Sequence, residues 1–151
     1  MSLDADVIVI GAGPAGCAAA IRLVDAGYKV IALERKERED GEDITSGEVL
    51  VVPTQNECDQ LGLKFEGDWV LDHITGFRNV YPGLSWTYHP ITSPICPAQV
   101  DRGGFNAALR RRLVEVGGRL VWNARVTDLE FRGDAAVAIT ADRTHYSAKM
   151  L

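Results

Sequence analysis

An α/β fold with a parallel sheet, an antiparallel insertion and a small β-meander is the architecture this sequence predicts. Three observations carry it. A β-branched run, VIVI (Val7–Ile10), passes directly into GAGPAG and a helical pattern. A second apolar run, KVIALE (Lys29–Glu34), follows that helix, and a third, RLVW (Arg119–Trp122), follows another helical stretch. Short apolar strands alternating with helices are what a parallel sheet covered on both faces requires.

Taken in order, Pro14 to Ala26 (PAGCAAAIRLVDA) reads as a helix packed closely on a sheet, small residues first and Ile21 and Leu23 later. Gly27 is its stop. The flanking strands complete a βαβ unit, whose crossover is right-handed. RKEREDGED (Arg35–Asp43) is a mixed-sign charge run and reads as a solvated loop. Pro53 to Leu61 is expected to form a short helix ended by Gly62. From Trp69 to Tyr88, aromatic and β-branched residues alternate around turn residues, predicting antiparallel strands joined at Gly76 and at Pro82-Gly83. HPITSPICPA, from His89, is too rich in proline for a strand interior and reads as an extended loop. Gly103 to Val116 is the next helix, with Phe105, Leu109, Leu113 and Val116 at helical spacing and Arg110, Arg111 and Glu115 facing water. Gly117-Gly118 ends it. After the third strand, Val126, Leu129 and Phe131 lead to a turn at Gly133-Asp134, then to Ala136–Thr140 and a last segment, forming the meander.

The chain has 151 residues, 46% hydrophobic and 25% charged, enough for one domain with a real core. No repeat, linker or composition shift divides it. A net charge of -5 argues against a nucleic-acid surface. The three cysteines (Cys17, Cys58, Cys96) are odd in number and form no CxxC pair, which argues against a disulfide framework or a zinc site and for a reducing cytoplasm. Asp4 and Asp6 precede the first apolar run and glycine interrupts it, unlike a secretory leader. No run of about 18 apolar residues exists to cross a membrane.

The chemistry lies in the first turn. Gly11, Gly13 and Gly16 follow a predicted strand and open a predicted helix. In that context Gly11 permits the tight turn, Gly13 lets backbone approach a pyrophosphate, and Gly16 lets helix and strand pack closely. Pro14 and Ala15 open the helix, whose N-terminal N–H groups and dipole suit a diphosphate. Glu34 ends the next strand, where a carboxylate accepts hydrogen bonds from both ribose hydroxyls and repels a 2′-phosphate. Arg35 follows it, either over the adenosine or in the solvated loop. The arrangement is Rossmann-like and predicts a dinucleotide site. Spacing alone leaves FAD and NAD both open.

The segment GAGPAGCAAAIRLVDAGYKVIALE resembles the FAD-binding βαβ unit of the two-dinucleotide-binding-domain flavoproteins, with Ala20, Leu23, Gly27 and Val30 at its later positions. SGEVLVVPTQNECDQLGL (Ser46–Leu63) is similar to a segment of geranylgeranyl reductases, flavin halogenases and aromatic hydroxylases of the p-hydroxybenzoate hydroxylase type. VDRGGFNAALRRRLVEVGGRL (Val100–Leu120) resembles the arginine-bearing helix of the same superfamily. The resemblance implies FAD as cofactor, Gly47 beside it, Arg102 near the pyrophosphate or ribityl chain, and the backbone of Val126 against the adenine. Arg102 also has a plain reading as a surface arginine before a helix, and Glu48 one as a loop cap.

Members of that superfamily run to several hundred residues. The resemblance therefore implies that 1–151 is the N-terminal portion of an FAD-binding domain, an incomplete one, with 64–97 as part of a substrate-domain insertion. It implies an FAD-dependent oxidoreductase of reductase or monooxygenase type, fed by NAD(P)H, with a small and apolar substrate. Alone the fragment is expected to be inactive and to self-associate through unsatisfied sheet edges. No residue is assigned a catalytic role. His73, His89 and His145 are isolated, Cys17 reads as a small buried thiol, and Cys96 lies in the proline-rich loop. Two other readings stay open: an NAD-dependent dehydrogenase domain, against which the long antiparallel insertion speaks, and a non-catalytic dinucleotide-binding or assembly module.

Overall fold

The computed structural model describes residues 3–37, 49–83, 85–92 and 97–151. In chain order the elements are β1 (Val7–Ile10), α1 (Pro14–Asp25), β2 (Val30–Leu33), β3 (Val49–Leu50), α2 (Val52–Gln60), β4 (Val70–His73) and β5 (Gly76–Val80). There follow β6 (Trp86–Pro90), β7 (Ala98–Val100), α3 (Arg102–Glu115), β8 (Arg119–Val121), β9 (Val126–Arg132), β10 (Ala135–Thr140) and β11 (His145–Ala148). There are two compact units, Met1–Gly41 with Asn106–Leu151, and Glu42–Phe105. The first unit is discontinuous, so its boundary falls within α3 and leaves no linker to read.

In the first unit β1, β2 and β8 form a parallel sheet in the order β1-β2-β8. All four residues of the middle strand β2 are buried, which is why its sequence is apolar without alternation. Pro14 opens α1, where its missing N–H costs nothing. Cys17, Ala20 and Ile21 fall on one side of that helix and are buried. β9, β10 and β11 form the predicted antiparallel meander, with β10 in the middle. Ile8, Ile31 and Leu33 of the parallel sheet share a core with Ala138 and Ala148 of the meander, and Val126 and Tyr146 pack against it. Each large aliphatic there contributes about 1.5–3 kcal/mol by leaving water.

The start of the chain is fastened to its last strand. The Asp4 and Ala5 N–H groups donate to the Ser147 carbonyl (2.9 and 3.2 Å), while Asp4 Oδ2 accepts from Ser147 N and Oγ, both at 2.8 Å. Asp6 pairs with Lys149 Nζ at 2.7 Å and accepts the Lys29 N–H at 3.0 Å. Ile8 N then donates to Met150 O at 3.0 Å, a parallel bridge beside β1. The two acids that break a leader pattern are thus structural fasteners.

In the second unit β3, β7 and β4 form an antiparallel sheet with β7 in the middle, and β5 and β6 form a separate hairpin. The hairpin closes at Pro82-Gly83 as expected. The expected joint at Gly76 is corrected: β4 pairs with β7, and Gly76 opens β5. Buried Ala98 and Val100 explain this, because they give β7 a face worth burying and let it pair on both sides. HPITSPICPA is likewise not all loop, since His89–Pro90 ends β6 and Ala98 begins β7. Proline at a strand end loses no ladder bond from the interior. Trp69 is buried between Phe65 (5.0 Å between ring centres, edge-on) and Phe105 (5.3 Å). Asp101 accepts the N–H groups of Gly103 (3.3 Å) and Gly104 (3.0 Å), capping the start of α3.

Among the described residues no helix is long and apolar enough to cross a membrane.

The fasteners set an acid limit on the first unit. Hydrogen bonds from the Ser147 backbone and side chain hold the Asp4 carboxyl below its ordinary value; the Lys149 ammonium and then the Lys29 N–H do the same for Asp6. Their stabilisation is present above the unfolded-state value and is lost as pH falls through the lower folded values. Thermal unfolding followed by circular dichroism should show a falling midpoint on acidification, and Asp4→Asn with Asp6→Asn should flatten that fall. In the second unit, burial and then the neighbouring Asp59 and Glu57 charges push the buried Cys58 thiol up to about 11. Iodoacetamide labelling at neutral pH should therefore spare Cys58 until the protein is denatured.

Candidate functional site

Leaving β1, the chain turns at Gly11, whose φ of +95° lies in the left-handed region where a side chain is strained. Gly11 N donates to Leu33 O at 2.7 Å, tying the turn to β2. Gly13 is the N-cap of α1 and no side chain caps that end, so its first-turn donors are of the kind an anion satisfies. A Cβ on Gly13 would meet nothing within 4 Å, whereas one on Gly16 would strike the Gly11 carbonyl oxygen. Gly16 therefore permits the packing, and Gly13 borders open ground.

Glu34 ties the segments around this turn together. Its Oε2 accepts the Ala12 N–H at 2.8 Å and its Oε1 the Lys36 N–H at 3.1 Å. Its own N–H donates to Val121 O and its carbonyl accepts the Ala124 N–H, both at 2.8 Å. The residue is 6% exposed. A carboxylate has about four lone-pair positions. Two are used here, so each oxygen can accept one more donor from the open side.

That open side is a cleft of about 240 Å³ whose walls include Ile10, Gly11, Glu34, Arg35, Arg125 and Val126. Of the expected site residues, Gly11, Glu34, Arg35 and Val126 thus surround one space. Gly13, Pro14, Ala15 and Gly16 continue from Gly11 into α1. Arg35 is exposed and Val126 is the half-buried first residue of β9. Arg102, the first residue of α3, lies in the second unit, where its guanidinium is 5.8 Å from the Phe105 ring. Its Nε is buried and has no hydrogen-bond partner among the described residues. Gly47, Glu48 and Cys96 lie outside the described residues. Cys17 is fully buried, as expected. Among the described residues no group of His, Cys, Asp and Glu is arranged to hold a metal ion.

One expectation fails. Arg110 does not face water; it is 4% exposed, with Nε donating to the Ala12 carbonyl at 2.9 Å and its guanidinium 5.2 Å from the centre of the Trp122 ring. Asn106, one turn earlier, is buried too. The buried side of α3 therefore includes Asn106, Arg110 and Leu113, residues at i, i+4 and i+7 that share a side. The pattern was available in the sequence, but apolarity points to Leu109 and Leu113 and passes over the polar members. Ala12 and Arg125 were also missed, for neither residue type carries a signal of its own.

Residues 6–70 match the family model described as FAD binding domain. Menaquinone reductase from Mycobacterium tuberculosis is 40% identical over 166 aligned positions, covering 100% of this chain and 38% of that protein. A geranylgeranyl bacteriochlorophyll reductase-like structure from Thermoplasma acidophilum superposes with a TM-score of 0.79 at 17% identity, over 95% of this chain and 36% of the other. The p-nitrophenol 4-monooxygenase of Pseudomonas putida superposes with a TM-score of 0.75 at 18% identity, over 99% of this chain and 40% of the other. The chain thus spans less than half the length of the curated relatives it matches. The family match decides between the two dinucleotides that spacing left open: the cofactor is FAD.

Gly16→Ala should destabilise the first unit by about 1–3 kcal/mol, because the added methyl meets backbone that cannot yield without moving α1. Gly13→Ala should cost less than about 1 kcal/mol, the loss of a favourable N-cap residue. Urea unfolding of both variants measures the difference.

Proposed function

We propose, for a chain that belongs to the superfamily of FAD-dependent oxidoreductases, that it holds the adenosine diphosphate end of FAD for a reductase of small apolar molecules. The observation that carries the site is the single cleft shared by Gly11, Glu34, Arg35 and Val126. In this reading the turn of Gly11, Gly13, Pro14, Ala15 and Gly16 faces the diphosphate, with Gly13 and Ala15 offering backbone N–H groups and Pro14 opening the helix end. The free lone pairs of Glu34 accept the two ribose hydroxyls, while Arg35 and the Val126 backbone flank the adenine. Arg102 and Gly47, both within 42–105, are included among the FAD contacts on the strength of the family resemblance alone. Residues 1–151 are then the N-terminal portion of the FAD-binding domain, and 64–97 is part of a substrate-facing insertion.

The flavin itself supplies the hydride chemistry, and the protein binds, orients and tunes it. The choice of reductase over monooxygenase rests on the likeness to menaquinone reductase over the whole of this chain. NAD(P)H is the electron donor in this reading. An apolar substrate suits Phe77, Trp86 and Tyr88, all exposed on the β5–β6 hairpin. Three cysteines with no CxxC pair suit a reducing, cytoplasmic setting. Exposed Ile10, Phe131 and Met150 support self-association of this segment in isolation.

The intact protein that carries this chain, purified and reconstituted with FAD, should show the paired absorption bands of a bound flavin, bleached by NAD(P)H. Glu34→Ala should weaken FAD binding by about 1.5–3 kcal/mol, the range for hydrogen bonds to a charged group. An intact protein that stays colourless with FAD and binds NAD instead would overturn the proposal.

A further inference from the structure

The geometry points to Arg110 as a positioning residue for the diphosphate, acting through the Ala12–Gly13 peptide. The inference rests on the FAD reading of the glycine turn and deepens it. Arginine is rarely buried without a specific partner, yet Arg110 is 4% exposed, and no part of the cofactor cleft is lined by it. Its Nε–H donates to the Ala12 carbonyl at 2.9 Å, and the face of Trp122, 5.2 Å away, holds the guanidinium from the side. Cys17 Sγ donates weakly to the same carbonyl at 3.4 Å.

A trans peptide carries its C=O and the following N–H in opposite directions. Holding the Ala12 carbonyl toward Arg110 therefore sends the Gly13 N–H away from α3. Gly13 borders open space, where an added Cβ would meet nothing within 4 Å. The preceding N–H, that of Ala12, is held by Glu34 at 2.8 Å. Two consecutive peptide groups of the turn are thus held, one by a carboxylate and one by a guanidinium. Without Arg110 only the weak Cys17 thiol bond holds the Ala12 carbonyl, and the Gly13 donor is less firmly kept in place for an anion. The cost then falls on ligands that carry a diphosphate and spares those that lack one.

The test uses the intact protein stripped of flavin, with FAD, ADP and adenosine as probes, in wild type, Arg110→Met and Arg110→Lys. FAD binding is read by flavin fluorescence quenching, and ADP and adenosine by calorimetry. Arg110→Met should weaken FAD and ADP by about tenfold or more while adenosine stays within about twofold. Arg110→Lys retains a donor for the Ala12 carbonyl and should fall between. An unchanged ADP affinity, or equal weakening of ADP and adenosine, overturns the positioning role. Should Arg110→Met fail to fold, the ratio of ADP to adenosine affinity in Arg110→Lys decides in the same way: a fall supports the role and an unchanged ratio overturns it. A wild-type protein that binds neither FAD nor ADP would instead overturn the FAD reading itself, and this inference with it.

Discussion

The carboxylate and backbone of Glu34 join the strands that make the site. Through Ala12 it holds the turn after β1, through Lys36 the exit of β2, and through Val121 and Ala124 the exit of β8. A buried carboxylate left without donors would cost several kcal/mol. Here every polar atom of the residue has a partner, so the charge becomes a fastener. The cleft has its shape because those three strand ends cannot drift apart while Glu34 is engaged. The same carboxylate keeps lone pairs on its open side, where the proposed function puts a ligand.

The parallel sheet positions these ends. β2 lies in the middle, fully buried, with β1 and β8 on either side, so the exits of all three strands fall at the same edge of the sheet. Ligands of open α/β sheets bind outside the carboxyl ends of the strands. The meander backs the sheet through a core rich in alanine, which lets Ala138 and Ala148 come close to Ile8 and Ile31. The second unit is built differently, around Trp69 and its two aromatic neighbours, with a hairpin whose large side chains remain in water.

Much of the fold was legible because its elements carry strong local signals. β1, α1, β2, the helix α3, β8 and the meander all appear within a residue or two of where periodicity and glycine stops place them. The errors share a cause. Pairing of β4 with β7 joins residues far apart in sequence, and only the burial of Ala98 and Val100 selects it over a local hairpin at Gly76. The bounds of the two units leave no linker in the sequence because the first is assembled from both ends of the chain. Arg110 was misplaced because an arginine on a helix is ordinarily solvated, and its burial depends on a carbonyl contributed by the opposite end of the unit.

The sequence by itself determined the βαβ unit, the glycine turn and the acid at the end of β2. These rest on backbone sterics and on short-range periodicity, which act within about a dozen residues. Only the tertiary structure decided what Ala12 and Arg110 do, why Asp4 and Asp6 stand where they stand, and which strand lies beside β4. Each of these is a contact between distant segments, where a polar group is buried and must find its partner. Sequence pattern names the groups that can pair; packing chooses the ones that do.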